Sequence, residues 1–124
     1  MIKLKNNVEK LNALIKEGKI REAFEKYYDN EVIIQVNGNA SITGKEQNRT
    51  REMIFLQEIE KLNSAVINSV TFGGLEDNVS MTEWAINIDN KKGENKTIYR
   101  VNVQHWKDDL IVNERLYFCG DQKF

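Results

Sequence analysis

The stretch that most restricts the fold is residues 97–118, TIYRVNVQHWKDDLIVNERLYF. Two runs rich in β-branched and aromatic residues flank a polar break at Lys107-Asp108-Asp109. Such side chains suit a pleated, half-buried surface, and such a break between them predicts an antiparallel hairpin with strands over 97–106 and 110–118. The same strand chemistry recurs upstream over 65–72 and 79–88, joined through Gly73-Gly74 and Asp77-Asn78. A polar loop over 89–95, DNKKGEN, then leads into the hairpin. Consecutive strands with links this short must be antiparallel neighbours.

Ahead of the strands the apolar period changes. Leu4, Val8, Leu11, Leu14 and Ile15 recur at three- and four-residue spacing, the stripe of an amphipathic helix. Asn6 or Asn7 is expected to cap its start, and Gly18 to end it in a left-handed conformation. A second helix follows at once with Ile20, Ala23, Phe24, Tyr27 and Tyr28 on one side and an i,i+4 pair, Glu22 and Lys26, on the other. Residues 32–36 read as a short strand, at a sheet edge or over a cavity, ending in the turn Asn37-Gly38-Asn39. Thr43-Gly44-Lys45-Glu46 matches a capping box, so a long helix is expected over 45–62 with Met53, Phe55, Leu56, Ile59 and Leu62 toward the core. Its first two turns, with Arg49, Arg51 and Glu52, are polar enough to be a solvated start, with Arg49 placed to guard a pocket mouth. The tail, 120–124, is expected to be loose.

Helices followed by a strand meander is an α+β arrangement: two short N-terminal helices and one long helix packed on a curved antiparallel sheet. The chain has 124 residues, enough for one domain over 1–124 with one real core. Both strand faces carry apolar side chains. Val101 and Val103 point one way, and Trp106, Leu116 and Phe118 the other. A helix layer on one face leaves the second face uncovered, so a homodimer packed through the sheet is expected.

Charge and composition exclude several functions. Lys and Arg number 18 against 19 Asp and Glu, scattered along the chain, so there is no electrostatic footprint for nucleic acid or an anionic membrane. No apolar run approaches the ~20 residues that span a bilayer. The first residues are interrupted by charge, unlike a signal peptide, and the lone Cys119 fits a reducing compartment, so a cytoplasmic protein is expected. One cysteine and one histidine, His105, make no zinc cluster; neither a metal nor a cofactor is expected.

Three stretches carry a resemblance. They are Glu22-Ala-Phe-Glu-Lys-Tyr-Tyr28 running into Val32-Ile-Ile-Gln-Val36-Asn37-Gly38, then Thr43-Gly-Lys-Glu46, and Gln104-His-Trp106 with Val112-Asn-Glu-Arg-Leu-Tyr-Phe118. With the order of elements, the whole chain resembles the SnoaL-like, polyketide-cyclase-like group of the nuclear-transport-factor-2-like fold, a cone of helices and sheet. That fold hosts isomerases, cyclases, dehydratases, hydrolases and non-catalytic subunits, so the resemblance implies a shape before a reaction. It implies a pocket between the helices and the concave sheet face. In the ketosteroid isomerases of this fold the proton-shuttling aspartate corresponds to Val36, the oxyanion tyrosine to a position near Leu11, and the protonated acid to one near Asn102. None of the three residues here can titrate.

If Asn102 faces that pocket, alternation brings Gln104 and Trp106 to the same side, and Glu114, Leu116 and Phe118 on the last strand. Phe55 and Trp84 are expected as further walls. The result is an apolar pocket for a small apolar or aromatic molecule with a few convergent polar groups. Glu114 is the candidate proton carrier, because a carboxyl desolvated among aromatic rings has a raised pKa suited to acid/base work. Asn102 and Gln104 would hold a polarised carbonyl. Against this stand an ion pair of Glu114 with Arg100 or Arg115, and exposure after a β-bulge. His105 alternates to the opposite face, and Tyr27 and Tyr28 read as helix-to-sheet packing. Two functions follow: a cofactor-free isomerase, cyclase or dehydratase, or a non-catalytic binding or assembly module.

Overall fold

Helix α1 (Ile2–Lys16) buries Leu4, Val8, Leu11 and Ile15. It ends as the glycine predicts: Gly18 takes φ +79° and donates to the Ile15 carbonyl, while Lys19 N–H reaches back to Leu14 O. The chain is described over residues 2–119 in this computed structural model, so the tail over 120–124 lies outside the described residues. Because the helix already begins at Ile2, neither Asn6 nor Asn7 caps it; Asn7 Nδ2 donates to Asp109 Oδ1 instead. Helix α2 (Ile20–Tyr27) buries Ala23, Phe24 and Tyr27. Lys26 lies over the Tyr27 ring at 5.5 Å.

Six strands form one sheet in the order β2-β1-β6-β5-β4-β3. Strands β3 (Ile59–Gly73), β4 (Val79–Asn90), β5 (Asn95–Lys107) and β6 (Leu110–Phe118) are the predicted antiparallel meander. The β5–β6 turn is two residues long, with Asp108 and Asp109 both at positive φ, the conformation whose twist matches a hairpin. Strand β1 (Tyr28–Val36) departs from the antiparallel expectation. It pairs with β6 in parallel and with β2 (Ile42–Thr43) antiparallel, so the sheet is mixed and β1 is interior to it. A short hairpin over Asn37–Asn39 supplies the edge strand instead.

Helix α3 (Lys45–Gln57) is shorter than expected, and Ile59 and Leu62 belong to β3. Their spacing is helical only in appearance. Strand β3 shifts register between Ile59 and Lys61, Leu62 and Ser64, and Ile67 and Ser69, which breaks strict alternation. Met53, expected in the core, is exposed. The capping box does not form: Thr43 pairs with Ile33, and Gly44 is the cap residue with no side-chain bond. Asn48 takes over, its fully buried Nδ2 donating to Gly44 O, Ile42 O and Val32 O at 2.8, 3.0 and 3.4 Å.

The helices cover one face of the sheet. Leu4, Val8, Leu11 and Ile15 of α1 join Trp84, Ile86, Ile88, Ile98 and Trp106 in one buried cluster. The other face is uncovered among the described residues. Rows of paired residues cross it, Val66–Ala85–Tyr99 and Glu83–Val101–Tyr117, with Met81–Val103–Arg115 alongside. Val66, Met81, Tyr99 and Tyr117 on it are 50%, 43%, 52% and 45% exposed, more than scattered apolar residues explain.

Candidate functional site

Between the helices and the sheet lies a cavity of about 540 Å³. Its walls are apolar over most of their extent, with Leu11, Phe24, Phe55, Leu116 and Phe118 contributed by four different elements. Polar groups converge on it from β1, α3, β5 and β6: Tyr28, Arg51, Glu52, Arg100, Asn102 and Glu114.

The inward turn of Glu114 depends on an irregularity in β6. Trp106 pairs with Ile111 and His105 with Asn113, so Val112 is an extra residue opposite one step of β5. That bulge lets Ile111 and Glu114, three positions apart, both point inward, and Glu114 is 3% exposed. Its Oε2 accepts from Tyr28 OH at 2.6 Å and from Gln104 Nε2 at 2.5 Å.

The direction of these bonds is dictated from behind. Trp106 Nε1 can only donate, and it does so to Ser80 Oγ at 3.0 Å. Ser80 Oγ donates in turn to Gln104 Oε1 at 3.2 Å, which fixes the Gln104 amide with its nitrogen toward Glu114. Oε2 therefore serves as an acceptor of two donors, and a proton on Glu114 belongs on Oε1. Burial pushes the Glu114 acid above the ordinary carboxylate range, against the pull of Tyr28, Gln104, Arg100 and Arg51. The Tyr28 phenol is driven well up by burial and by the carboxylate beside it, and stays a donor.

Glu52 is the second carboxyl in the cavity. Burial first, and then the charge of Glu114, raise it to about 7. Its Oε1 is sealed from solvent without a hydrogen-bond partner, as are Arg100 Nε and Asn102 Oδ1. Arg49 makes no such contribution. Its guanidinium closes on Glu25 with two bonds of 2.6 and 2.8 Å, away from the cavity lining.

Neither a protein-family model nor a curated protein matches the chain. Solved structures do. One named as a SnoaL-like polyketide cyclase from Mesorhizobium loti is 20% identical, covers 91% of this chain and 97% of its own, and superposes with a TM-score of 0.75. A nuclear-transport-factor-2-like protein of unknown function from Burkholderia pseudomallei superposes at 0.80 with 10% identity over 96% of this chain and 92% of its own. An LEH-like epoxide hydrolase from M. tuberculosis reaches 0.69 with 14% identity, over 96% of this chain and 84% of its own. The chain has the SnoaL-like, nuclear-transport-factor-2-like fold. Identities this low carry the fold and no activity.

Within this nuclear-transport-factor-2-like scaffold the expected site residues fall into two groups. Val36, Phe55, Asn102, Glu114, Leu116 and Phe118 line the cavity together. Trp84, Gln104 and Trp106 stand behind its wall: Trp84 is 1% exposed in the core, and Gln104 and Trp106 reach the cavity only through Glu114. Gln104 thus orients the carboxylate and does not face the cavity itself. Neither arginine forms an ion pair with Glu114 among the described residues, and Arg115 is exposed on the other face.

Tyr28 and Glu52 are the residues the sequence reading assigned elsewhere. Tyr28 is the first residue of β1 and no part of the α2 stripe, which sends its hydroxyl to Glu114. Glu52 had a signal: it precedes Phe55 by three and Leu56 by four, the spacing of one helix face. Among the described residues no cluster of His, Cys, Asp and Glu could hold a metal ion, and no helix is long and apolar enough to cross a membrane.

Proposed function

We propose that the cavity binds a small, largely apolar or aromatic molecule and that Glu114 exchanges a proton with it through Oε1. The observation that carries this reading is the clasp on Glu114: two donors hold Oε2 while the carboxyl lines an apolar cavity. An arrangement that spends Tyr28, Gln104, Ser80 and Trp106 on aiming one carboxylate suits general acid/base chemistry without a cofactor, such as isomerisation, cyclisation or dehydration. Asn102, 3% exposed and lining the same cavity, is available to polarise a carbonyl.

The test is a pH titration of the Glu114 carboxyl by NMR, with and without a panel of small apolar carbonyl compounds. The expected result is a pKa above the ordinary ~4.3 that moves on addition of a compound, and that rises further in Tyr28→Phe because a bond favouring the carboxylate is lost. An ordinary value indifferent to every compound would overturn it. The second reading, a non-catalytic binding module, is favoured by Val36 and Asn102, which cannot titrate where the isomerases of this fold carry their acids. A homodimer through the uncovered sheet face belongs to either reading, and the exposed Tyr99, Tyr117, Met81 and Val66 support it.

A further inference from the structure

Most polar groups in the cavity differ from Glu114 in one respect: the protein does not satisfy them. The side chains of Arg51, Glu52, Arg100 and Asn102 all line the cavity and make no hydrogen bond or ion pair among the described residues. Buried polar groups are nearly always bonded, so the three with sealed, unpartnered atoms, Glu52, Arg100 and Asn102, together with the half-buried Arg51 beside them, specify what should meet them. They present guanidinium and amide N–H donors from two strands and a helix, beside a carboxyl that can donate when protonated. Two arginines face two carboxyls. With Glu52 protonated, the arginines outnumber the carboxylates whether or not Glu114 is ionised.

We infer that the cavity takes the anion of a small organic acid, its carboxylate received by Arg100, Arg51 and Asn102 with Glu52 protonated and donating to it, and its apolar body lying against Phe24, Phe55 and Leu116. The inference rests on the reading of the cavity as a small-molecule site and names the class of molecule. Glu52 faces Arg51 on its own helix, Glu114 of β6, Arg100 of β5, Tyr28 of β1 and, at longer range, Glu25 of α2. Its acid, already held at about 7, is pushed higher by an arriving anion, so binding takes up a proton. Glu114 is held differently, its Oε2 accepting from Tyr28 and Gln104, whereas Glu52 Oε1 has no partner in the protein.

The test compares 2-naphthoate with its neutral isostere 2-naphthamide by isothermal titration calorimetry on the full chain, from pH 6 to 8.5. At pH 6 the acid should bind at least ten-fold more tightly than the amide. Above pH 7 its affinity should fall about ten-fold per pH unit, with close to one proton taken up as read in buffers of different ionisation heat, while the amide's affinity stays flat. Glu52→Gln should keep the preference and lose the slope; Arg100→Met should lose at least ten-fold of the preference and keep amide binding. Equal binding of acid and amide overturns the inference and leaves the small-molecule site standing. A slope that persists in Glu52→Gln overturns the role given to Glu52. Failure of both compounds to bind overturns the site reading and this inference with it.

Discussion

Glu52 is a carboxyl that folding works against. A group whose pKa is higher folded than unfolded stabilises the fold only while it is protonated. For Glu52 that contribution is present below about 4.5 and is lost as pH rises through about 7. Above 7 the charged form stays in a site that disfavours it, at a cost on the order of 2–3 kcal/mol. Glu52→Gln should therefore be more stable than the wild type at pH 8 by about 2 kcal/mol, with the gap closing toward pH 4.5; urea unfolding at the two pH values measures it. Retaining a destabilising carboxyl is what a functional cavity does at the expense of the fold. Glu114 was legible only through the resemblance that sets Asn102 inward and carries Glu114, Leu116 and Phe118 to the same side; the bulge at Val112 that makes room for it was not. The sequence left Tyr28 illegible, since the adjacent Tyr27 and Tyr28 look alike until the helix is known to stop between them.

At the scale of elements, the four-strand meander and the first two helices were readable because each depends on local chemistry: alternation, a positive-φ turn, a terminating glycine. What was not readable depends on contacts between distant segments. The boundary of α3 and β3 is decided by pairing of Ile59 with Asn90 and Leu62 with Ile88, and nothing within the 45–62 window announces it. The parallel pairing of β1 with β6 is of the same kind. Asn48 holds this region together, one side-chain nitrogen serving three carbonyls around the β1–β2 hairpin and the start of α3. Asn48→Ala would take that donor from all three, leaving Val32 O and Gly44 O with their backbone partners, and should destabilise the protein by about 1–3 kcal/mol. Thermal or urea unfolding checks this, and Thr43→Ala, whose hydroxyl caps nothing, should change stability far less.

At the scale of the whole molecule, the sheet has one face that makes the core and one that meets its surroundings. Largely apolar rows running across three strands are what an isologous interface is built from, since a two-fold axis brings the patch they form against its own copy. The proposed dimer has a direct test in sedimentation velocity, where the wild type should run at twice the 14.5 kDa mass of the chain. Tyr99→Lys with Tyr117→Lys alters exposed positions, so the fold should survive and the mass should fall to that of a single chain. A wild type that sediments as a single chain would remove the dimer from either functional reading.

The clasp between Tyr28 and Glu114 joins residues 86 positions apart. Closing so long a loop is slow, whereas each hairpin of the meander forms from neighbours. On a growing chain α1, α2 and most of the sheet can take shape while β6 is still being made, and β1 has no parallel partner until it arrives. The clasp is thus completed only when β6 joins the sheet, and a nascent chain halted before β6 carries most of the scaffold without Glu114.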